Sequence, residues 1–117
     1  MKEIEIFDIE FNSLILELEL EKQIRILNLK NKHIDKLDIK VGDIIYDVTG
    51  IIKVGDIDFH VGYNGRGGSW PTFVEYIGLK YKWVKGGFVT KSKHNQIGEL
   101  YSYSDLKKID SNKIIHE

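Results

Sequence analysis

Phe7-Asp8-Ile9-Glu10-Phe11-Asn12-Ser13-Leu14-Ile15-Leu16-Glu17-Leu18-Glu19-Leu20 is the stretch on which the fold turns. Its apolar residues recur at every second position on both sides of Asn12-Ser13. Period-two alternation is the mark of a half-buried strand. With Asn12-Ser13 as a two-residue turn, Phe11 opposes Leu14, Ile9 opposes Leu16 and Phe7 opposes Leu18. All six then share one face, as a hairpin register requires. Ile4 and Ile6 fall out of phase with Phe7, and a β-bulge near Ile6-Phe7 would restore it. A three-residue loop over Glu21–Gln23 leads to a third strand, Ile24 to Leu29. That register sets Leu20 against Ile24, Leu18 against Ile26 and Glu19 against Arg25. Ile34 to Leu37 reads as one helical turn.

Further along, Val41-Gly42-Asp43-Ile44 is repeated as Val54-Gly55-Asp56-Ile57. Each copy is followed by an aromatic residue and then a valine. Gly-Asp is standard turn chemistry, so two similar turns account for the repeat better than a duplicated binding unit. Ile44, Tyr46, Val48, Gly50, Ile52 and Val54 share one parity, predicting a single strand over 44–54 that turns at Gly55-Asp56. Gly50 would let that strand coil, as small barrels need. Phe73 to Ile77 and Leu79 to Lys85 follow as strands. Gly86-Gly87 is a tight-turn signal, and Phe88 to Lys93 returns. Glu99 to Tyr103 closes the β region. Ser104 reads as the N-cap of a short helix carrying Leu106 and Ile109.

Short strands separated by frequent turns predict a mainly β fold. It would be a small barrel, Greek-key or SH3-like, or a two-sheet sandwich, with one or two short helices near 33–38 and 104–110. The 117 residues suit a single β-rich domain over 1–117. There is no cysteine, which excludes disulfides, Cys-ligated zinc and a thiol nucleophile. No apolar run reaches the roughly 18 residues of a membrane helix, and Met1 to Glu5 lacks the shape of a signal peptide. The expectation is a cytoplasmic protein with no membrane partner, in which homo-oligomers are open.

Chemistry is sparse. The four histidines, His33, His60, His94 and His116, lack metal-ligand spacing and read as solvated. Asp43, Asp47, Asp56 and Asp58 lack the spacing and closing glutamate of a calcium loop, so turn chemistry explains them better. Ser69 is not in a nucleophile elbow. No catalytic residue, metal or cofactor is therefore expected, and the chain reads as a non-enzymatic module.

Two features point to a ligand. Net charge is −1, but residues 1–58 carry 13 acids and 8 bases while 59–117 carry 5 acids and 9 bases. Charge asymmetry of this kind bears on partners. Five lysines and no acid lie between Tyr76 and Gly98. A two-residue Gly86-Gly87 turn would set Lys82 opposite Lys91 and Lys80 opposite Lys93, with Tyr81 and Trp83 turned inward. Like charges directly opposite are unfavourable, so an anionic ligand would explain their retention. An edge protected against pairing with other chains would explain it equally. The second feature is Gly62-Tyr63-Asn64-Gly65-Arg66-Gly67-Gly68-Ser69-Trp70-Pro71. Its glycines allow close backbone approach, Arg66 suits phosphate, and Tyr63 or Trp70 suits a base, although a flexible connection with Trp70 packed into the core or a barrel end accounts for the segment more simply. The expected function is recognition of a nucleotide or nucleic-acid backbone by these two elements together. The rival is a protein-interaction or inhibitor module, of immunity or mobile-element antagonist type. It would use an acidic N-terminal hairpin: Glu3, Glu5, Asp8, Glu10, Glu17 and Glu19.

Overall fold

A computed structural model describes residues 2–15, 19–62, 64–65, 68–69 and 71–115, the side chains of 64, 65, 68 and 69 excepted. The elements run α1 Glu3–Leu14, α2 Glu19–Ile34, β1 Ile44–Asp47, β2 Gly50–His60, β3 Asn64–Gly65, β4 Gly68–Ser69, β5 Phe73–Val84, β6 Phe88–Lys91, β7 Ile97–Tyr101 and β8 Lys107–Lys108. A 3-10 turn follows at Ser111–Lys113. The protein is mainly β, 38% strand to 30% helix, with a curled antiparallel sheet of small-barrel type. Sheet order is β6-β5-β2-β1-β8, and β7 also pairs with β5. No helix among the described residues is long and apolar enough to cross a membrane.

The N-terminal strands are not there. Glu3–Leu14 and Glu19–Ile34 are helices, joined through Leu16 to Leu18, which lie outside the described residues. The reason is legible afterwards. Ile4, Phe7, Phe11 and Leu14 are spaced i, i+3, i+7 and i+10, one helical stripe, and each is at least partly buried. The phase break at Ile4 and Ile6, which a strand needed a bulge to repair, is that stripe. Lys22, Ile26, Leu29 and His33 make the matching stripe on α2. Ile9, which the hairpin turned inward, is 60% exposed, and Ile24 is 63% exposed.

The chain forms two compact units, Met1–Asp38 with Asp58–Val74, and Ile39–Ile57 with Glu75–Glu117. In the first, Phe7 is fully buried. Its ring stacks on Phe59 at 4.4 Å and on Phe11 at 5.8 Å. Thr72, also buried, donates its hydroxyl proton to Asp8 and accepts the Gly62 N–H. That pair of bonds closes the base of the glycine-rich segment, within which β3 and β4 pair with each other.

In the second unit Ile44, Ile51 and Val89 form a core, with Tyr46, Tyr81, Ile109 and Ile114 packed around it. The single strand expected over 44–54 is two. A two-residue turn at Val48-Thr49 sets Asp47 against Gly50. Asp47 drives it by accepting both the Thr49 N–H and the Thr49 hydroxyl proton. Gly55-Asp56 is no turn, and β2 runs straight through it. The two repeat copies therefore do different work. Gly42, at φ +98°, turns the chain and donates its N–H to Val54, whose own N–H is accepted by Asp43. The glycine that matters inside the sheet is Gly78, not Gly50. A Cβ on Gly78 would overlap the Lys53 carbonyl, whereas one on Gly50 would meet open space. β2 approaches β5 that closely only because position 78 has no side chain.

Residues 73–84 form one strand rather than two. The short helix expected over 104–110 is absent. Turns there lead into β8, and Ile109 donates its N–H to Ile44. The only expected helical piece with a counterpart is 33–38, which overlaps the end of α2.

Candidate functional site

The lysine hairpin exists, but its register differs from the expected one. Lys85, Gly86 and Gly87 make a three-residue turn, with Gly86 at φ +85° and Gly87 at φ +81°. Val84 therefore opposes Phe88, Lys82 opposes Thr90 and Tyr81 opposes Lys91. The extra turn residue shifts every pair by one, and no two lysines face each other. The argument from cross-strand repulsion falls with that register. Trp83 also departs from expectation, since its side chain is half exposed.

A second feature of β5 reshapes the surface. Its two halves pair with β7 (Glu75↔Tyr101 to Leu79↔Ile97) and with β6 (Tyr81↔Lys91 to Val84↔Phe88). Lys80, between them, accepts the Ser92 N–H and donates its own N–H to Gln96. β6 and β7 are thus one return strand interrupted by an excursion over 92–96. Asn95, at φ +47°, supplies the reversal that excursion needs.

The excursion forms one wall of a cleft of about 610 Å³. Lys82, Lys91, Lys93, Thr90, Ser92 and Asn95 line it. The three lysines are exposed, and none makes an ion pair or side-chain hydrogen bond among the described residues. The register also puts Lys82, opposite Thr90, and Lys91, opposite Tyr81, on different faces of the hairpin, so the three lysines border this cleft without being direct neighbours. Lys80 is separate. It lines a different cleft of about 540 Å³ with Thr49, Ser92, Glu99 and Tyr101. There Tyr101 donates its phenol proton to Glu99 at 2.6 Å, which pushes the phenol pKa up to about 12.

Arg66, Tyr63 and Trp70 lie outside the described residues. The glycine-rich segment that carries them belongs to the first unit and the lysine hairpin to the second. The acidic hairpin of the rival reading is replaced by helices, which spend much of its charge internally. Glu3 and Glu10 approach opposite ring nitrogens of His33, Lys32 pairs with Glu10, and Asp8 holds Thr72. Glu19 pairs with Lys22.

His33 is not solvated; it is fully buried, edge-on to Phe7. His60 is half-buried and stacks on Phe73 at 5.0 Å, while His94 is exposed and His116 lies outside the described residues. Asp43 caps the turn before β1 by accepting the Lys40 N–H, and Asp58 pairs with Lys30. No group of three or more His, Asp or Glu side chains among the described residues is arranged to hold a metal ion.

Comparison with protein-family models, with curated proteins and with solved structures finds no match to this chain.

Proposed function

We propose that the second unit is an anion-binding module whose Lys82–Lys91–Lys93 cleft takes the phosphate backbone of a nucleic acid. The observation that carries this reading is that three lysines, with no ion pair among the described residues, border one cleft. Cations that share a cleft add to one local potential and attract an anion far better than scattered ones. Among the described residues the lining holds no aromatic side chain and so offers no stacking platform for a base. Backbone phosphates suit it better than a free nucleotide does.

Protection of an exposed strand edge is a weaker account of the same lysines. The outer edge of β6 is already engaged, because Ile114 bridges Val89 in parallel and Ile115 donates its N–H to the Val89 carbonyl. A covered edge has less need of charge to keep other chains away.

The test is fluorescence anisotropy of a labelled single-stranded oligonucleotide at several salt concentrations. Three neutralised phosphates predict a slope of log K on log salt of about −2. Lys82→Ala with Lys91→Ala should weaken binding at least tenfold and leave the melting temperature unchanged, since both side chains are exposed. Normal binding together with aggregation of the double variant would sink the proposal.

A further inference from the structure

A second cleft on the same unit has the opposite character. It measures about 500 Å³, lies beside the Val48-Thr49 turn, and is lined chiefly by apolar surface. Trp83 and Tyr46 form its corner, their rings 5.2 Å apart and nearly perpendicular at 83°. Half of the Trp83 surface is open, although Tyr81, two residues earlier on β5, packs against the core. Val48 stands fully exposed as a lip. Asp47 and Asp105 add two carboxylates, and Lys107, across the strand pair from Tyr46, adds one ammonium.

The two acids are differently engaged. Burial pushes the Asp47 carboxyl up, but the bonds it accepts from Thr49, Ser104 and Gly50 outweigh that and hold it below the ordinary value. Asp47 is thus a fixed negative charge in the wall. Asp105 is exposed and makes no ion pair or side-chain hydrogen bond among the described residues. It is free to pair with an incoming group.

We propose that this Tyr46–Trp83 notch binds the arginine side chain of an extended basic peptide segment. A guanidinium is planar and weakly hydrated, so it stacks on an aromatic face while pairing with a carboxylate. The notch offers both at once. A lysine ammonium is more strongly hydrated and lacks the planar face. A phosphate or carboxylate would meet two like charges. A neutral apolar group would leave the exposed Asp105 carboxylate without a partner. Lys107 is the one cation among the described residues of the wall and competes with the ligand for Asp105. The site is independent of the lysine cleft, which attracts the opposite charge.

The full ¹⁵N-labelled chain tests this. It contains two tryptophans, Trp70 and Trp83, so the Trp83 indole N–H signal is assigned by its loss in Trp83→Phe. The probe is a blocked pentapeptide of four glycines and a central arginine, compared with its citrulline analogue, which has the same shape without the charge. A saturable shift of the Trp83 signal is expected with arginine and none with citrulline. Asp105→Asn should weaken binding at least threefold, and Lys107→Ala should strengthen it. Both positions are exposed, so folding is not at issue. Equal response to the citrulline peptide, no saturable response to either, or unchanged affinity in Asp105→Asn would each overturn the proposal.

Discussion

His33 shows how far one residue's environment departs from its composition-level reading. Its ring has no solvent exposure, and carboxylates of Glu3 and Glu10 approach its two nitrogens, the latter at 3.1 Å. Two effects oppose each other there. Burial, helped by the Lys36 charge, pushes the imidazole pKa down. The carboxylates favour the charged ring. Burial wins because the ring is dry, while Glu10 is partly exposed and shares its charge with Lys32. A folded pKa below the unfolded one means the unfolded chain takes up the proton first on acidification. This contribution to stability is therefore present above the ordinary imidazole pKa of about 6.5 and is lost as pH falls through the lower folded value. Denaturant midpoints measured between pH 5 and 7.5 should fall with acidification, and the slope should flatten in His33→Gln. Midpoints that rise on acidification would mean that Glu3 and Glu10 outweigh burial. Nothing in the sequence around Lys32-His33-Ile34 marks the ring as buried. Its signal is the helical spacing to Ile26 and Leu29, and that spacing is informative only once α2 is known to be a helix.

At the scale of elements the same ambiguity decided the N-terminal region. Phe7, Ile9 and Phe11 fit a strand, whereas Ile4, Phe7, Phe11 and Leu14 fit a helix, and Phe7 and Phe11 belong to both sets. The two readings differ at Ile9. A strand buries it; α1 leaves it exposed. Phe7→Ala, which empties the stack on Phe11 and Phe59, should cost about 3–5 kcal/mol. Ile9→Ala should stay within ~0.5 kcal/mol. Equal losses at both positions, measured by urea denaturation, would restore the strand reading. The lysine hairpin was better marked. Gly86-Gly87 announced a turn, and both glycines take the left-handed backbone that makes them necessary. What the pair of glycines did not announce was Lys85 as a third turn residue. A turn longer by one residue moves every cross-strand neighbour, so the lysine pairing was lost while the hairpin survived.

For the molecule as a whole, charge and continuity matter most. Both unit boundaries beyond Asp38 fall inside strands, between Ile57 and Asp58 in β2 and between Val74 and Glu75 in β5. An unfolding unit would have to break a strand it shares, so one cooperative transition is expected. Ellipticity at 222 nm reports mainly α1 and α2, and Trp83 fluorescence, read as the difference between the chain and Trp83→Phe, reports the second unit. The two melting curves should coincide, and separate midpoints would show that the units unfold independently. The sequence alone determined the mainly β class, the run of strands from Ile44 to Tyr101 and the lysine-rich, acid-free segment between Tyr76 and Gly98. These follow from local periodicity, turn chemistry and composition, which every short window of the chain carries by itself. Tertiary structure alone decided that the N-terminal stretch is helical, because Phe7 needs Phe59 to bury against and the two are 52 residues apart. It also decided that Gly78 rather than Gly50 admits a neighbouring strand, that Lys82, Lys91 and Lys93 border one cleft, and that Trp83 stays open beside Tyr46. Each depends on which surface lies opposite, and no local pattern of residues specifies its opposite.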